Sequence, residues 1–329
     1  MNKNPVVFGI GNPLVDIIYQ STESDIINLG LNKGSMQLVS EQRQYEIIEY
    51  FKFKEPKYMP GGSAPNTILA CNGLGVPSLI SGKIGDDKFG EIYLKQVKEY
   101  GALSSLITGK GPTGTSIILI TPDAERTMNT HLGVCREYNS DDVNIQMLEN
   151  SSFLYFTGYM WDTDSQKSAI KKAIEIAHTN NIKICFDVAD PFVVERNKKE
   201  FLKLIKDDVD ILFANEPELA ILFGSDNNNL SIKKLMEIVR CGGIKLGKKG
   251  SVAFYNFKKA IIKPRSIIVK DTTGAGDMYA AGFLSTISKK NDYKIAGKKG
   301  SFVAEEVIKI DGAQFSKNKI DMIKSKFFE

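Results

Sequence analysis

Asp271-Thr272-Thr273-Gly274-Ala275-Gly276-Asp277 is the stretch that decides the reading of this chain. The apolar run Ile267-Ile268-Val269 precedes it and Met278-Tyr279-Ala280-Ala281-Gly282-Phe283-Leu284 follows, so the local order reads as strand, glycine-rich turn and helix. Gly274 and Gly276 lack a Cβ, which lets the backbone turn sharply and approach a ligand closely. The new helix offers unpaired N–H groups at its positive dipole end, a layout that binds phosphate. Asp277 falls at the helix start, where it is either an N-terminal cap or a carboxylate held beside the anion as a general base.

Outward from that turn, the 329 residues suffice for one large α/β domain with insertions or for two domains. Lys and Arg exceed Asp and Glu by only 43 to 39 and are scattered, which leaves no nucleic-acid footprint. Cys71, Cys135, Cys185 and Cys241 lie far apart with no CxxC pair, and His131 and His178 have no metal-ligand spacing. The thiols read as the reduced cysteines of a cytoplasmic protein. Residues 5–11 are too short for a signal peptide and run into a Gly-Asn-Pro turn. No apolar run approaches the roughly 20 residues of a membrane helix, so no membrane partner is expected.

Val6-Val7-Phe8-Gly9-Ile10 reads as a buried strand, with Asn12 and Asp16 just beyond its C-terminal end, where open α/β sheets bind ligands. Asn12 is equally a turn residue bonding its own backbone. Residues 15–58 suit an excursion from the main sheet better than a βαβ unit, with a polar helix at 41–51. Pro60-Gly61-Gly62-Ser63-Ala64-Pro65-Asn66 then opens a helix at 67–75. Its paired glycines and Asn66 suit a hydroxyl-rich ligand, or form a plain turn with a Ser cap. An amphipathic helix follows at 87–100. Residues 115–120 and 126–130 flank Thr121-Pro122-Asp123-Ala124-Glu125 as a β-hairpin, a second excursion. Arg136 is either a solvated charge or a group that stabilises transferred charge beside the phosphate site.

From Phe153 strands and helices alternate regularly, with helices at 165–179 and 198–205, and this argues a parallel, doubly wound sheet. At the strand end Asn215-Glu216-Pro217-Glu218, Asn215 and Glu218 could organise water around Mg²⁺, or Glu218 is an ordinary helix-dipole partner. Gly247 and Gly250 around Lys248-Lys249 make a loop for a polyphosphate or merely a hairpin. A last helix is expected at 297–308.

These stretches, taken in order, resemble the ribokinase-like (PfkB) family of carbohydrate and nucleoside kinases over nearly the whole chain. The specific parts are Gly61–Asn66 with Gly85-Asp86-Asp87-Lys88-Phe89-Gly90, the 271–277 run, and Asn215-x-x-Glu218 and Lys245-x-Gly247 between them. Gly11-Asn12-Pro13-Leu14-Val15-Asp16-Ile17 and Thr130-His131-Leu132-Gly133 look most like the family's adenosine kinases, especially a bacterial branch.

The resemblance implies a doubly wound, mainly parallel α/β fold with a small β lid. Residues 1–15, 60–103 and 132–329 would form the main domain, and 16–59 with 104–131 the lid. It implies phosphorylation of the 5'-hydroxyl of adenosine by ATP, giving AMP and ADP. Asp277 would be the base and the N–H groups of Gly274, Ala275 and Gly276 the anion hole. Asn12, Asp16, Gly61, Gly62 and Asn66 would hold the acceptor. Asn215, Glu218, Lys245, Gly247, Gly250 and Thr272 would serve the nucleotide, with Glu218 reaching Mg²⁺ through water. A potassium-like ion is implied near Asp271 and Thr273. Leu14, Met36, Leu38 and Leu132 are the candidates for an apolar base slot. A sugar or other nucleoside kinase, and a non-catalytic nucleotide-binding module on the same fold, are the alternatives. A monomer and a homodimer both remain open.

Overall fold

A computed structural model of the chain describes residues 4–123 and 125–328. The strands, in chain order, are β1 (Val7–Ile10), β2 (Leu14–Gln20), β3 (Met36–Leu38), β4 (Lys57–Gly61), β5 (Ser78–Gly85), β6 (Leu103–Gly109) and β7 (Gly114–Ile120). They continue with β8 (Arg126–His131), β9 (Phe153–Thr157), β10 (Lys183–Asp187), β11 (Ile211–Asn215), β12 (Cys241–Lys245), β13 (Ser251–Tyr255) and β14 (Lys258–Ile262). Nine of them form one sheet in the order β14-β13-β12-β11-β10-β9-β1-β5-β6, and five form a second in the order β3-β8-β7-β2-β4.

In the large sheet all pairs from β6 across to β12 are parallel, and only β13 and β14 run antiparallel. Alternate residues of each central strand feed opposite layers. Val7, Tyr155, Cys185 and Phe213 pack with the helices Ser63–Gly73, Ala275–Ile287 and Tyr293–Val307. Phe8, Phe156, Phe186 and Leu212 pack with Asp164–Thr179, Pro191–Asp207 and Glu216–Phe223. A sheet buried on both faces needs such near-continuous apolar strands. β1 lies between β5 and β9, so the chain leaves it toward both sides, and the crevice at that switch point is where this architecture places ligands.

Several boundaries differ from the expectation. The hairpin pairs β7 with β8 as read, and Ala124 of its turn lies outside the described residues. β6 pairs with β5, so residues 104–113 do not belong with the hairpin, and the small sheet's second segment starts at Gly114. Its first segment starts at Leu14, which puts Asp16 inside β2 rather than in a turn after β1. Three helices start earlier than read, at Ser63, Pro191 and Tyr293. Ile267-Ile268-Val269 is not a strand: the chain is irregular there and Ile268 is 90% exposed. β14, an edge strand, stops just short of Pro264, whose missing N–H cannot extend the ladder.

Candidate active site

The helix Ala275–Ile287 starts at Gly274, which is its N-cap with φ 74° and supplies no side-chain cap. A Cβ at Gly274 would lie 2.7 Å from the Ala313 Cα, so the position needs glycine for both conformation and space. Asp277 is therefore not the cap. It sits within the first turn of the helix, and its carboxylate points across to the start of the helix Ser63–Gly73. Oδ1 accepts from the Ser63 hydroxyl at 2.7 Å, and Oδ2 accepts from the Asn66 amide at 3.0 Å. Ser63 is likewise no cap, since Gly62 precedes that helix without a side-chain bond. Burial lifts the Asp277 carboxyl to about 7; the Ser63 and Asn66 hydrogen bonds oppose the rise, Asp187 adds to it and Lys245 opposes it. A carboxyl poised near neutrality and hydrogen-bonded in its ionised form can take a proton from an alcohol.

Of the three N–H groups expected to receive an anion, that of Ala275 donates back to the Thr272 carbonyl at 3.2 Å. Those of Gly274 and Gly276 have no partner among the described residues. The turn therefore presents two free donors, not three.

Asn12, Asp16, Gly61, Gly62 and Asn66 come together beside Asp277. The two glycines are steric necessities. A Cβ at Gly61 would stand 2.4 Å from Asp16 Oδ1, and one at Gly62, whose φ is 94°, would stand 2.0 Å from the Asn12 carbonyl oxygen. Burial lifts the Asp16 carboxyl to about 7, with Arg126 opposing and Asp277 adding to the rise. Asn12 is held by Gln166, whose amide donates to Asn12 Oδ1 at 2.7 Å and to the Cys135 carbonyl at 3.0 Å. Asn66 is held by Gln314, which donates to Asn66 Oδ1 at 2.9 Å and leaves the Asn66 amide hydrogens for Asp277. Gln166 and Gln314 are absent from the sequence reading, and Ser63 entered it only as a cap, because each acts on a side chain of a distant segment.

On the far side of Asp277, Asn215 and Glu218 form a reciprocal capping box. The Asn215 side chain accepts from the Glu218 N–H at 2.9 Å, and the Glu218 carboxylate accepts from the Asn215 N–H at 2.7 Å and amide at 2.6 Å. The helix-start reading of Glu218 is thus met. Its fully buried carboxyl is also lifted to about 7 by burial, against Lys245. Lys245, at the end of β12, donates to both oxygens of Asp187 at 3.1 and 3.0 Å. Burial alone would lower the Lys245 pKa, but Asp187 and Glu218 outweigh it and hold the ammonium charged. Asp187 escaped the sequence reading, although it ends β10 as Asn215 ends β11. Next to it Ala189 has φ 79°, an uncommon conformation for a residue with a Cβ, and its N–H donates to Asp187 Oδ1 at 3.1 Å. Gly247 and Gly250 belong to the β12–β13 hairpin; a Cβ at Gly250 would strike the Ile262 carbonyl at 2.1 Å, whereas Gly247 faces open space. With both Glu218 oxygens engaged by Asn215, Mg²⁺ fits this corner through water rather than by direct ligation, and among the described residues no His, Cys, Asp or Glu cluster is arranged to hold a metal.

Arg136 is a correction. It is 53% exposed on its side chain, pairs with Asp162 at 3.2 Å and does not line the cleft. The arginine that reaches the turn is Arg126, at the start of β8, whose Nη2 lies 2.8 Å from Asp271 Oδ2. The Asp271 carboxylate also accepts from the Thr273 N–H at 3.0 Å, the Thr273 hydroxyl at 2.7 Å and the Gly312 N–H at 2.7 Å. Asp271 and Thr273 thus do not fit the potassium-like ion implied for them, because the carboxylate is already surrounded by donors and a guanidinium.

Asn12, Asp16, Gly62, Ser63, Asn66, Asp187, Asn215, Glu218, Lys245 and the turn 272–277 line one cleft of about 1300 Å³ between the two sheets, with Gln166, Gln314, Arg126 and Asp271 behind its wall. Leu14, Met36, Leu38 and Leu132 line it on the small-sheet side, with Tyr159 from the turn after β9 and Phe192 from the start of the helix Pro191–Asp207 opposite; Phe192 is 75% exposed. Thr272, Gly247 and Gly250 line it at the other end together with Ile267 and Val269. None of the four cysteines is disulfide-bonded, and all are buried. Among the described residues no helix is long and apolar enough to cross a membrane.

Comparison with known proteins places the chain in a family. The family model described as pfkB family carbohydrate kinase matches residues 37–320. The structure of adenosine kinase from Sinorhizobium meliloti is 32% identical, covers 98% of this chain and 99% of its own, and superposes with a TM-score of 0.88. A probable sugar kinase protein from Rhizobium etli CFN 42 is 29% identical over 98% of both chains, with a TM-score of 0.89. The adenosine kinase of Schizosaccharomyces pombe is 26% identical over 93% of this chain and 95% of its own.

Proposed function

We propose that this chain, which belongs to the pfkB carbohydrate kinase family and is an ATP-dependent phosphotransferase, phosphorylates the 5'-hydroxyl of adenosine. The observation that carries the acceptor is an apolar and aromatic slot beside a hydroxyl-binding group. Leu14, Met36, Leu38, Leu132 and Phe192 suit a flat base, while Asn12, Asp16 and Asn66 suit ribose hydroxyls. A free sugar would fill the polar part and leave the apolar part wet.

In this reading Asp277 accepts the proton of the 5'-hydroxyl as its oxygen attacks the γ-phosphorus of ATP. The bond from that phosphorus to the bridging oxygen breaks, and ADP leaves. Ser63 and Asn66 aim the carboxylate, and Gln314 aims Asn66. The Gly274 and Gly276 N–H groups, at the positive end of a helix, receive charge on the transferred group; one such preorganised donor contributes about 10²–10³-fold. Lys245 and Thr272 would lie near the phosphates of ATP, and Glu218 would hold water of a Mg²⁺ ion, which would supply neutralising charge to those phosphates. Arg136 has no part in this step, and Arg126, from the small sheet, holds the turn through Asp271 instead. The small sheet acts as the lid that keeps water from the phosphoryl group.

ADP release measured with adenosine, inosine, ribose and fructose at equal concentration tests the acceptor. Adenosine is expected to turn over fastest by at least about tenfold, the scale of one lost apolar contact set. Turnover of a free sugar with none on adenosine would replace this reading with the sugar-kinase one.

A further inference from the structure

We propose that the Arg126 guanidinium stands where a diffusible monovalent cation would otherwise balance Asp271, so that the small sheet carries the counter-charge of the 271–276 turn and K⁺ does not activate this enzyme. The Asp271 carboxylate offers about four lone-pair directions. Oδ1 accepts from the Thr273 N–H and hydroxyl; Oδ2 accepts from the Gly312 N–H and meets Arg126 Nη2 at 2.8 Å, as an ion pair without in-line hydrogen-bond geometry. Arg126 Nη1 is 3.5 Å from the Thr273 hydroxyl, so one guanidinium spans both residues to which the family resemblance assigns the ion. The Arg126 and Asp271 side chains are only 11% and 6% exposed. A cation entering there would be set against a guanidinium in a poorly screened interior, where like charges repel strongly.

The origin of that charge has a structural consequence. Arg126 opens β8, which pairs with β7, and β7 pairs with β2, the strand carrying Asp16. The charge of the same arginine acts on two carboxylates, Asp16 on the small sheet through space and Asp271 on the loop entering the anion-binding helix by contact. A bound ion would order the turn whether or not the small sheet were seated. A guanidinium on β8 orders it only when the sheet is seated, so closing the cleft and setting the Gly274 and Gly276 donors become one event. Arg126 is in this respect a positioning residue, whatever it also does for the phosphoryl group.

The idea rests on the kinase reading only for the purpose of the turn, and its test uses the full chain with a readout that does not require turnover. Amide hydrogen exchange of the peptide spanning 271–276, thermal unfolding, and turnover are measured in K⁺, Na⁺ and choline at one ionic strength. The wild type is expected to show the same exchange and melting in all three salts, and less than about a twofold difference in turnover. Arg126→Ala is expected to speed exchange in 271–276 by about tenfold or more, because a buried carboxylate is left unpaired. Millimolar guanidinium should slow it again, and Arg126→Lys, lacking the planar fork, should restore less. Asp271→Asn provides a second route to the same loosening, and the double variant should be no worse than the worse single one. Protection of the wild-type turn by K⁺ over choline, or about tenfold activation by it, overturns the proposal, as does an unchanged turn in Arg126→Ala. Absence of adenosine turnover together with salt-independent exchange would remove the acceptor assignment and leave this inference standing.

Discussion

Replacing Asp277 by Asn separates its chemistry from its cost to stability. The substitution keeps the shape, and an amide can accept from Asn66 and donate to the Ser63 hydroxyl, so both observed contacts have a substitute. It cannot accept the alcohol proton, so turnover is expected to fall by about 10²–10⁴-fold while ATP binding persists. The stability effect follows from burial. A carboxyl lifted from 3.8 to about 7 binds its proton more tightly folded than unfolded. Its contribution is therefore most favourable below pH 3.8, declines as pH rises through about 7 and is level above that. The full decline corresponds to on the order of 4 kcal/mol. Asp277→Asn does not pay it, so the variant should match the wild type near pH 4 and exceed it at pH 8. At about 2 °C per kcal/mol for a chain this long, the gap in Tm reaches at most about 8 °C. Thermal unfolding of both proteins across this range, alongside ADP release, is the assay. Near-normal turnover refutes Asp277 as the base, and a stability gap independent of pH refutes the account of its burial.

Asn66→Ala removes a hydrogen bond that favours the ionised Asp277, so the pH midpoint of kcat/KM should move upward from about 7, together with a raised KM for adenosine; an unmoved midpoint counts against the contact. Gly61→Ala places a methyl 2.4 Å from Asp16 Oδ1, and kcat/KM for adenosine should drop at least about tenfold, whereas the affinity for ATP, measured by calorimetry, should hardly change. Arg136→Ala should alter kcat/KM by less than about twofold, since surface ion pairs such as that with Asp162 are worth little, and a large loss would restore it to the site. Gln166→Leu leaves Asn12 Oδ1 without its donor and should raise the KM for adenosine with kcat nearly kept; the reverse split would place Asn12 in the chemical step.

What the chain order reveals and what it hides divide along physical lines. The turn at 271–277, the Gly61-Gly62 pair and the strand-end Asn215 are legible because their conformational demands fall on consecutive residues: positive φ at Gly62 and Gly274, and a capping box closed within three residues. The alternation after Phe153 is legible for the same reason, since each strand is apolar on both faces. Ile267-Ile268-Val269 misleads because apolarity alone does not distinguish a core strand from the rim of a cleft. Pro264 was the available signal, as it forbids continuing the edge ladder of β14. Asp187 was within reach of the strand-end rule that found Asn215. Arg126 and Arg136 could not be separated by position along the chain, because which one faces the turn depends on how β8 pairs with β7 and where the small sheet sits.

That last point bears on how the site is assembled. Asp277 takes its position from Ser63 and Asn66, Asn66 from Gln314, and Asp271 from Arg126, so the turn that looks self-contained in sequence is fixed by three distant segments. Each link leaves a buried polar group short of a partner if it is cut, which costs more than the net worth of one hydrogen bond. Asp16, Glu218 and Asp277, each lifted to about 7 by burial, add their own cost in the ligand-free protein. The strain is therefore concentrated around the place where an alcohol, a metal-bound triphosphate and their charges would enter. Ligands that supply hydroxyl donors and cationic charge to these carboxylates recover part of that cost on binding. Binding energy of this kind favours closing of the small sheet, because Asp16 and Arg126 ride on it while Asp277 and Asp271 do not.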